Sequence, residues 1–210
     1  MERTALILAG GFSSRFGQDK GLLEFNKKPL IKHVIDTVEP IVDEIIIVIN
    51  NYERKELYKK ALGSETEFAI DREKAKGPLV GALTGFEAAK GTYSLLLPSD
   101  TPFVSKKVLE LLFDLCRDKS AVIPRWPNQQ IEPLHAVYNT KLAIDAAKKA
   151  LAENRLDLRA MIKNLQRVTY LSTLVIQKMD PDMNTFFNIN TSLDFKKATD
   201  LLKLRQKKNN

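Results

Sequence analysis

The segment Gly10-Gly11-Phe-Ser13-Ser14-Arg15-Phe-Gly17-Gln-Asp-Lys20 concentrates the groups that bind a polyphosphate. Gly10 and Gly11 remove side chains where the backbone turns, so a ligand can approach the main chain. Ser13 and Ser14 add hydroxyl donors, and Arg15 and Lys20 supply two cations with Gly17 between them. Glycines, main-chain donors and paired cations together suit a chain of phosphates. The segment lacks both the G-x-x-x-x-G-K-[ST] spacing of a P-loop and the G-x-G-x-x-G of dinucleotide-binding turns. A second group is Asp100, set between Pro98 and Pro102 after an apolar run. An aspartate there forms turns readily, and its carboxylate is also a hard oxygen donor. Two histidines and one cysteine leave no Ser-His-Asp or Cys-His arrangement to propose.

These groups need elements to position them. Thr4 to Ala9 is a short apolar run ending in glycines, as expected of a buried strand entering a loop. Pro29 suits a first helical turn, with Ile31, Val34, Ile35 and Val38 at helical spacing behind it; His33 falls on the polar side of that stripe. Glu44 to Asn50 is a β-branched run that must be covered on both faces. Phe68–Asp71, Tyr93–Leu97, Ala121–Pro124, Leu134–Tyr138, Val168–Leu171 and Phe186–Asn190 are further strand candidates. Helices are expected over 79–90, around Val108–Cys116, over 140–153, after a capping Asp157, and after Thr191, whose partner Asp194 completes a capping box. Strands alternating with helices predict an α/β three-layer sandwich, Rossmann-like, with a mostly parallel sheet. Such sheets bind ligands at the carboxyl edge, where Gly10–Lys20, Asn50, Asp71, Asp100 and Asn188–Asn190 would lie.

Composition narrows the class. The chain has 210 residues, 44% hydrophobic and 28% charged, which is globular rather than disordered. No apolar run approaches the ~20 residues of a membrane span. The five-residue run Ala5–Ala9 is too short for a signal peptide, and one cysteine excludes a disulfide framework, so the cytoplasm is the expected compartment. Net charge is +7, of which Lys203, Arg205, Lys207 and Lys208 contribute four, leaving +3 for the rest. Residues 201–210 are therefore expected to be a basic tail, the solvated and frayed end of a helix, and neither nucleic acid nor membrane an expected partner. Residues 1–210 are read as a single domain in two halves, 1–105 and 106–200.

The stretch Leu8–Lys20 resembles L-A-G-G-x-S-x-R-M-G-x-D-K, the signature of the nucleotidyltransferases that make guanylylated molybdenum cofactor, with Phe16 in place of the methionine. The likeness continues through Lys28-Pro29-Leu30, Gly77-Pro-Leu-Val-Gly81, Pro98-Ser-Asp100-Thr-Pro102, Glu132-Pro-Leu134 and Asn188-Ile-Asn190-Thr191. It implies transfer of GMP from GTP to the terminal phosphate of molybdopterin, with Mg2+ and release of pyrophosphate. It further implies Asp100 as the metal ligand, with Arg15, Lys20 and Asp100 catalytic. Leu8, Ala9, Gly10, Gly11, Lys20, Asn50, Asp71, Gly77, Gly81 and Asp100 would bind the nucleotide. Glu132, His135, Asn188 and Asn190 would face the acceptor. Trp126, between Pro124 and Pro127, is expected to anchor a loop, and Asn51 beside Asn50 leaves the register of that contact open. The resemblance also admits transient contact with molybdoenzymes or cofactor-insertion proteins. Three rivals stand beside it: a sister enzyme using CTP or another phosphorylated acceptor, whose cytidylyl members read L-A-A-G; a non-catalytic nucleotide-binding module; and, from charge alone, a nucleic-acid binder.

Overall fold

The computed structural model describes residues 1–9, 19–71 and 77–208. The elements follow in chain order as β1 (Arg3–Leu8), β2 (Glu24–Phe25), β3 (Lys28–Pro29), α1 (Leu30–Val38), β4 (Glu44–Ile49), α2 (Tyr52–Leu62), β5 (Glu67–Ile70), α3 (Pro78–Ala88) and β6 (Tyr93–Pro98). The second half adds α4 (Lys106–Leu115), β7 (Ala121–Arg125), β8 (Ala136–Asn139), α5 (Thr140–Ala152), α6 (Leu158–Lys163), β9 (Val168–Ser172), α7 (Thr173–Ile176) and α8 (Ser192–Lys208). The described strands build a seven-stranded sheet in the order β5-β4-β1-β6-β8-β7-β9. Only β8 runs against its neighbours β6 and β7 in that sheet; the other pairings are parallel.

Strand periodicity sends alternate residues to opposite faces, and both faces are covered. Ala5, Ile7, Ile47 and Ile49 pack with Ile31, Val34 and Val108 of α1 and α4. Leu6, Ile46 and Val48 pack with Leu79, Ala82 and Phe86 of α3 and with the alanine face of α5. The expected three-layer sandwich is thus present. Gly85 allows the closest approach of α3 to the sheet: a Cβ there would lie 2.9 Å from Val48 Cγ2.

A third, smaller core bears directly on function. Phe25, Leu30, Phe103, Ile189 and Ala198 bury together, with Phe187, Phe195, Leu201 and Leu202 against them. Phe25 meets Phe103 and Phe195 edge-on at 5.8 and 5.7 Å. This cluster joins the β2–β3 hairpin, the loop after β6, the 187–189 segment and α8. It corrects two expectations. Residues 186–190 form no strand; Asn184–Phe186 is a 3-10 turn and the rest is extended coil, because the aromatic and aliphatic side chains that mimic strand alternation are drawn into this cluster instead of a ladder. The tail is the end of α8, as expected, but it is not solvated from residue 201, since Leu201 and Leu202 pack against the cluster.

Other local expectations hold or shift slightly. Asp157 caps α6 by accepting from Ala160 N at 2.9 Å. Thr191 and Asp194 form the reciprocal box, at 3.2 Å from Asp194 N to Thr191 Oγ1 and 2.9 Å from Thr191 N to Asp194 Oδ2. Pro29 closes β3 and stands at the N-cap of α1, one step before the first helical turn. His33 is half-buried, not a free surface residue: its Nε2 lies 2.8 Å from the Phe25 carbonyl, and burial holds its pKa below the usual imidazole value. No described helix is long and apolar enough to cross a membrane.

Candidate active site

The parallel strands β5, β4, β1 and β6 end along one edge of the sheet, and Ala9, Asn50, Asp71 and Asp100 follow those ends. Main-chain bonds hold the edge in register: Ala9 N donates to Val48 O at 2.8 Å, Ser99 N to Leu8 O at 3.1 Å, and Asp71 N to Ile49 O at 2.7 Å. Leu8 and Ala9 therefore sit between the ends of β4 and β6, with Asn50 exposed beyond β4 and Asp71 half-buried beyond β5.

Asp100 follows directly from β6. Its side chain is 13% exposed, and its Oδ2 lies 3.2 Å from Lys20 Nζ, whose side chain is 21% exposed. Burial raises the Asp100 pKa above the ordinary carboxylate value, and the Lys20 ammonium opposes that rise without cancelling it. The same ammonium donates to Asn190 Oδ1 at 2.5 Å. Ile189 N donates to the Asp100 carbonyl at 3.0 Å, which fixes the Asn188–Asn190 segment to the strand end. Lys20, Asp100 and Asn190 thus meet directly, although they are 80 and 170 positions apart from Lys20 along the chain. Among the described residues Asp100 Oδ1 and Asn188 Oδ1 are buried oxygens without hydrogen-bond partners.

A second group flanks this centre. Trp126 Nε1 donates to Glu132 Oε1 at 2.7 Å, so Trp126 is anchored as expected and Glu132 has a partner. Phe186 packs edge-on against both Trp126 and His135, at 5.6 and 5.3 Å. His135 is buried, neither ring nitrogen has a partner among the described residues, and burial lowers its pKa to about 3. Because Ala136 pairs with Leu96, His135 enters β8 at the same edge as Asp100.

Gly77 caps α3, where a Cβ would stand 2.9 Å from the Leu156 carbonyl oxygen. Gly81 has ordinary room, with its nearest neighbours at 3.9 Å. The Asn51 side chain caps α2, accepting from Arg54 N at 2.8 Å. The predicted Gly10, Gly11 and Arg15 lie outside the described residues.

Sequence reasoning missed a buried polar group next to Lys20. Asp19 Oδ2 stands 3.2 Å from Arg54 Nε, and Arg54 Nη1 donates to the Ala9 carbonyl at 3.2 Å. Tyr58 OH donates to Asp19 Oδ1 at 2.5 Å. The available signal was a capping Asn51 followed by Arg54 and, four residues later, Tyr58 on one helical face.

Residues 5–168 match the model of the MobA-like NTP transferase domain. The chain is 33% identical to a probable molybdenum cofactor guanylyltransferase of Methanosarcina mazei, over 91% of this chain and 88% of that one. It superimposes with a TM-score of 0.82 and 26% identity on molybdopterin-guanine dinucleotide biosynthesis protein A from Archaeoglobus fulgidus, covering 95% of this chain and 98% of that one. A 4-diphosphocytidyl-2C-methyl-D-erythritol synthase from Anaerococcus prevotii shares the fold, with a TM-score of 0.72 at 17% identity over 96% of each chain.

Proposed function

The chain belongs to the MobA-like NTP transferase family, and we propose that it transfers GMP from GTP to the terminal phosphate of molybdenum-bound molybdopterin, forming the guanine dinucleotide cofactor and releasing pyrophosphate. The observation that carries this reading is the meeting of Lys20, Asp100 and Asn190 at the carboxyl edge of the sheet. GTP and molybdopterin are the substrates, and contacts with cofactor-receiving proteins are transient. Residues 1–105 serve the nucleotide and 106–200 the acceptor, within one cytoplasmic domain.

Magnesium suits this donor set. Asp100 Oδ1 and Asn188 Oδ1 are hard oxygens without partners among the described residues, and one or two protein ligands suffice where phosphates and water complete an octahedron. Among the described residues no cluster of three or more His, Cys, Asp or Glu side chains offers a caged metal site instead. When bound, the ion supplies Lewis-acid polarisation of phosphate oxygens and a template for alignment.

The chain's own residues do the rest. Lys20 exchanges its contact with Asp100 for the β- and γ-phosphates, where its ammonium stabilises the charge that grows as pyrophosphate leaves. Arg15 is assigned the same task. Asn190 holds the ammonium in reach, and Asn188 and Asp100 offer oxygen to the ion. Leu8, Ala9, Gly10, Gly11, Asn50, Asp71, Gly77 and Gly81 line the nucleotide along the strand ends. Glu132 and His135 face the acceptor beside Trp126 and Phe186. No general base is required, because the attacking group is a phosphate monoester that is already anionic; positioning and charge stabilisation carry the reaction.

Pyrophosphate release from each of four NTPs, with and without molybdopterin, tests this. GTP should be preferred by about tenfold or more, ~1.4 kcal/mol, and release should need molybdopterin. Equal use of CTP would overturn the guanylyl assignment.

A further inference from the structure

Tyr58 belongs to a helix that ends in exposed lysines and carries little apolar surface, yet it is fully buried. Its hydroxyl stands between two segments of the site. On one side it donates to Asp19 Oδ1, which also accepts from Gly21 N at 3.1 Å, so that carboxylate brackets Lys20 from both neighbours. On the other side the hydroxyl takes a hydrogen bond from Ser99, the residue before Asp100. Arg54, one helical turn earlier, ties the same Asp19 to the Ala9 carbonyl at the end of β1. Gly21 completes the fit, since a Cβ there would fall 2.2 Å from the Tyr58 oxygen and 3.2 Å from Ser99 Oγ.

We propose that Tyr58 and Arg54 are positioning residues for the transfer reaction, setting the separation of the Lys20 ammonium from the Asp100 carboxylate by holding Asp19 and Ser99 at one shared hydroxyl. The inference rests on the proposed phosphate role of Lys20. Neither residue is offered as a phosphate ligand: the Arg54 guanidinium is buried and engaged by Asp19 and Ala9, and the Tyr58 phenol is sealed under the site. A buried ion pair gains little net stability over apolar packing, so its value here is geometric. The phenol is well suited to the task, because burial and the Asp19 carboxylate both raise its pKa and keep it a hydrogen-bond donor. Lys20 carries a flexible four-carbon stem and gains most from such a fixed base.

The test is a double-mutant cycle on inorganic pyrophosphate binding, measured by calorimetry with Mg2+ present, for wild type, Tyr58→Phe, Lys20→Ala and the double variant. Coupled residues depart from additivity, whereas independent ones do not. Tyr58→Phe should weaken pyrophosphate binding about fivefold and Lys20→Ala about tenfold, while the double variant binds no more weakly than Lys20→Ala. Arg54→Lys should bind less weakly than Arg54→Met, because it keeps the charge that faces Asp19. A fully additive double variant, or Tyr58→Phe binding as wild type, overturns the positioning role. A parallel titration of wild type with GTP separates this from the functional reading. Failure to bind GTP with the cycle intact sinks the guanylyl assignment alone, and GTP binding without pyrophosphate binding sinks the inference alone.

Discussion

Replacing Asp100 by asparagine should stabilise the protein at neutral pH while disabling it. The carboxylate lies 3.2 Å from Lys20 Nζ, and at an effective dielectric of about 20 that pair is worth at most ~5 kcal/mol of direct attraction. Against this stands the cost of taking a carboxylate to 13% exposure with Oδ1 unpartnered. The pKa direction shows which effect wins. It is raised, with burial the largest cause, so the folded protein binds the Asp100 proton more tightly than the unfolded chain does. Stability from that proton is present below the unfolded carboxylate pKa near ~4 and is lost as pH rises through the higher folded value. Asparagine keeps the shape, removes the charge and leaves Lys20 its contact with Asn190. The expected gain is ~1 kcal/mol at pH 7.5, or about 2–4 °C in Tm for a chain of this size, fading toward pH 4. Turnover should fall ~100–1000-fold, as when one preorganised electrostatic group is removed from a transition state. Thermal melts at pH 4.5 and 7.5 beside steady-state rates measure both effects. A fall in Tm of 2 °C or more at pH 7.5 would show that the ion pair outweighs its burial and would refute the reasoning.

Lys20→Ala should lower kcat as well as weaken GTP binding, because its contact strengthens as pyrophosphate leaves; steady-state kinetics showing a raised KM with wild-type kcat would reduce it to uniform binding. Burial holds His135 neutral and lowers the His33 pKa, so stability should drop as pH falls below ~6.5, by up to ~1.4 kcal/mol per pH unit for His135. With the His135 pKa at about 3, His135→Leu should remove ~2 kcal/mol of the loss between pH 6.5 and 5 in denaturant titrations, and an unchanged pH slope would contradict its burial as a neutral ring. Deleting residues 203–210 should abolish any weak, salt-sensitive nucleic-acid association and leave guanylyl transfer intact, since Leu201 and Leu202 remain to close the Phe25 cluster. Filter binding at two salt concentrations and turnover of the truncated chain check both halves of that expectation.

The sequence made some parts of this molecule plain and hid others for identifiable reasons. Strands β1, β4 and β6 are buried on both faces, so each is an unbroken apolar run, and α1 and α4 show an apolar stripe because only one face is covered. Helix α2 escaped notice because its buried face is Arg54 and Tyr58 while Leu57 is exposed; a polar network leaves no apolar period to read. The β2–β3 hairpin turns through Asn26 and Lys27, both at positive φ, without the glycine that usually marks such turns. Phe186 to Ile189 imitated a strand because clustered aromatic residues and strand alternation look alike over five positions. The site divides the same way. Lys20, Asp100 and Asn190 were legible as motif residues, and the structure brings them together. Of the groups that hold them there, Asp19 and Ser99 lie inside the quoted motifs with no role to read from them, and Tyr58 lies outside any motif, because support residues owe their types to neighbours far along the chain.

The central claim is that this sheet edge joins GMP to molybdopterin through Lys20 and Asp100. GTP labelled at the α-phosphate, incubated with the protein, Mg2+ and molybdopterin, tests it most directly. The label should appear in a molybdopterin guanine dinucleotide, with one pyrophosphate released per product and almost none formed by Asp100→Asn. Label that stays in GTP under these conditions, or that transfers equally well from CTP, would contradict it.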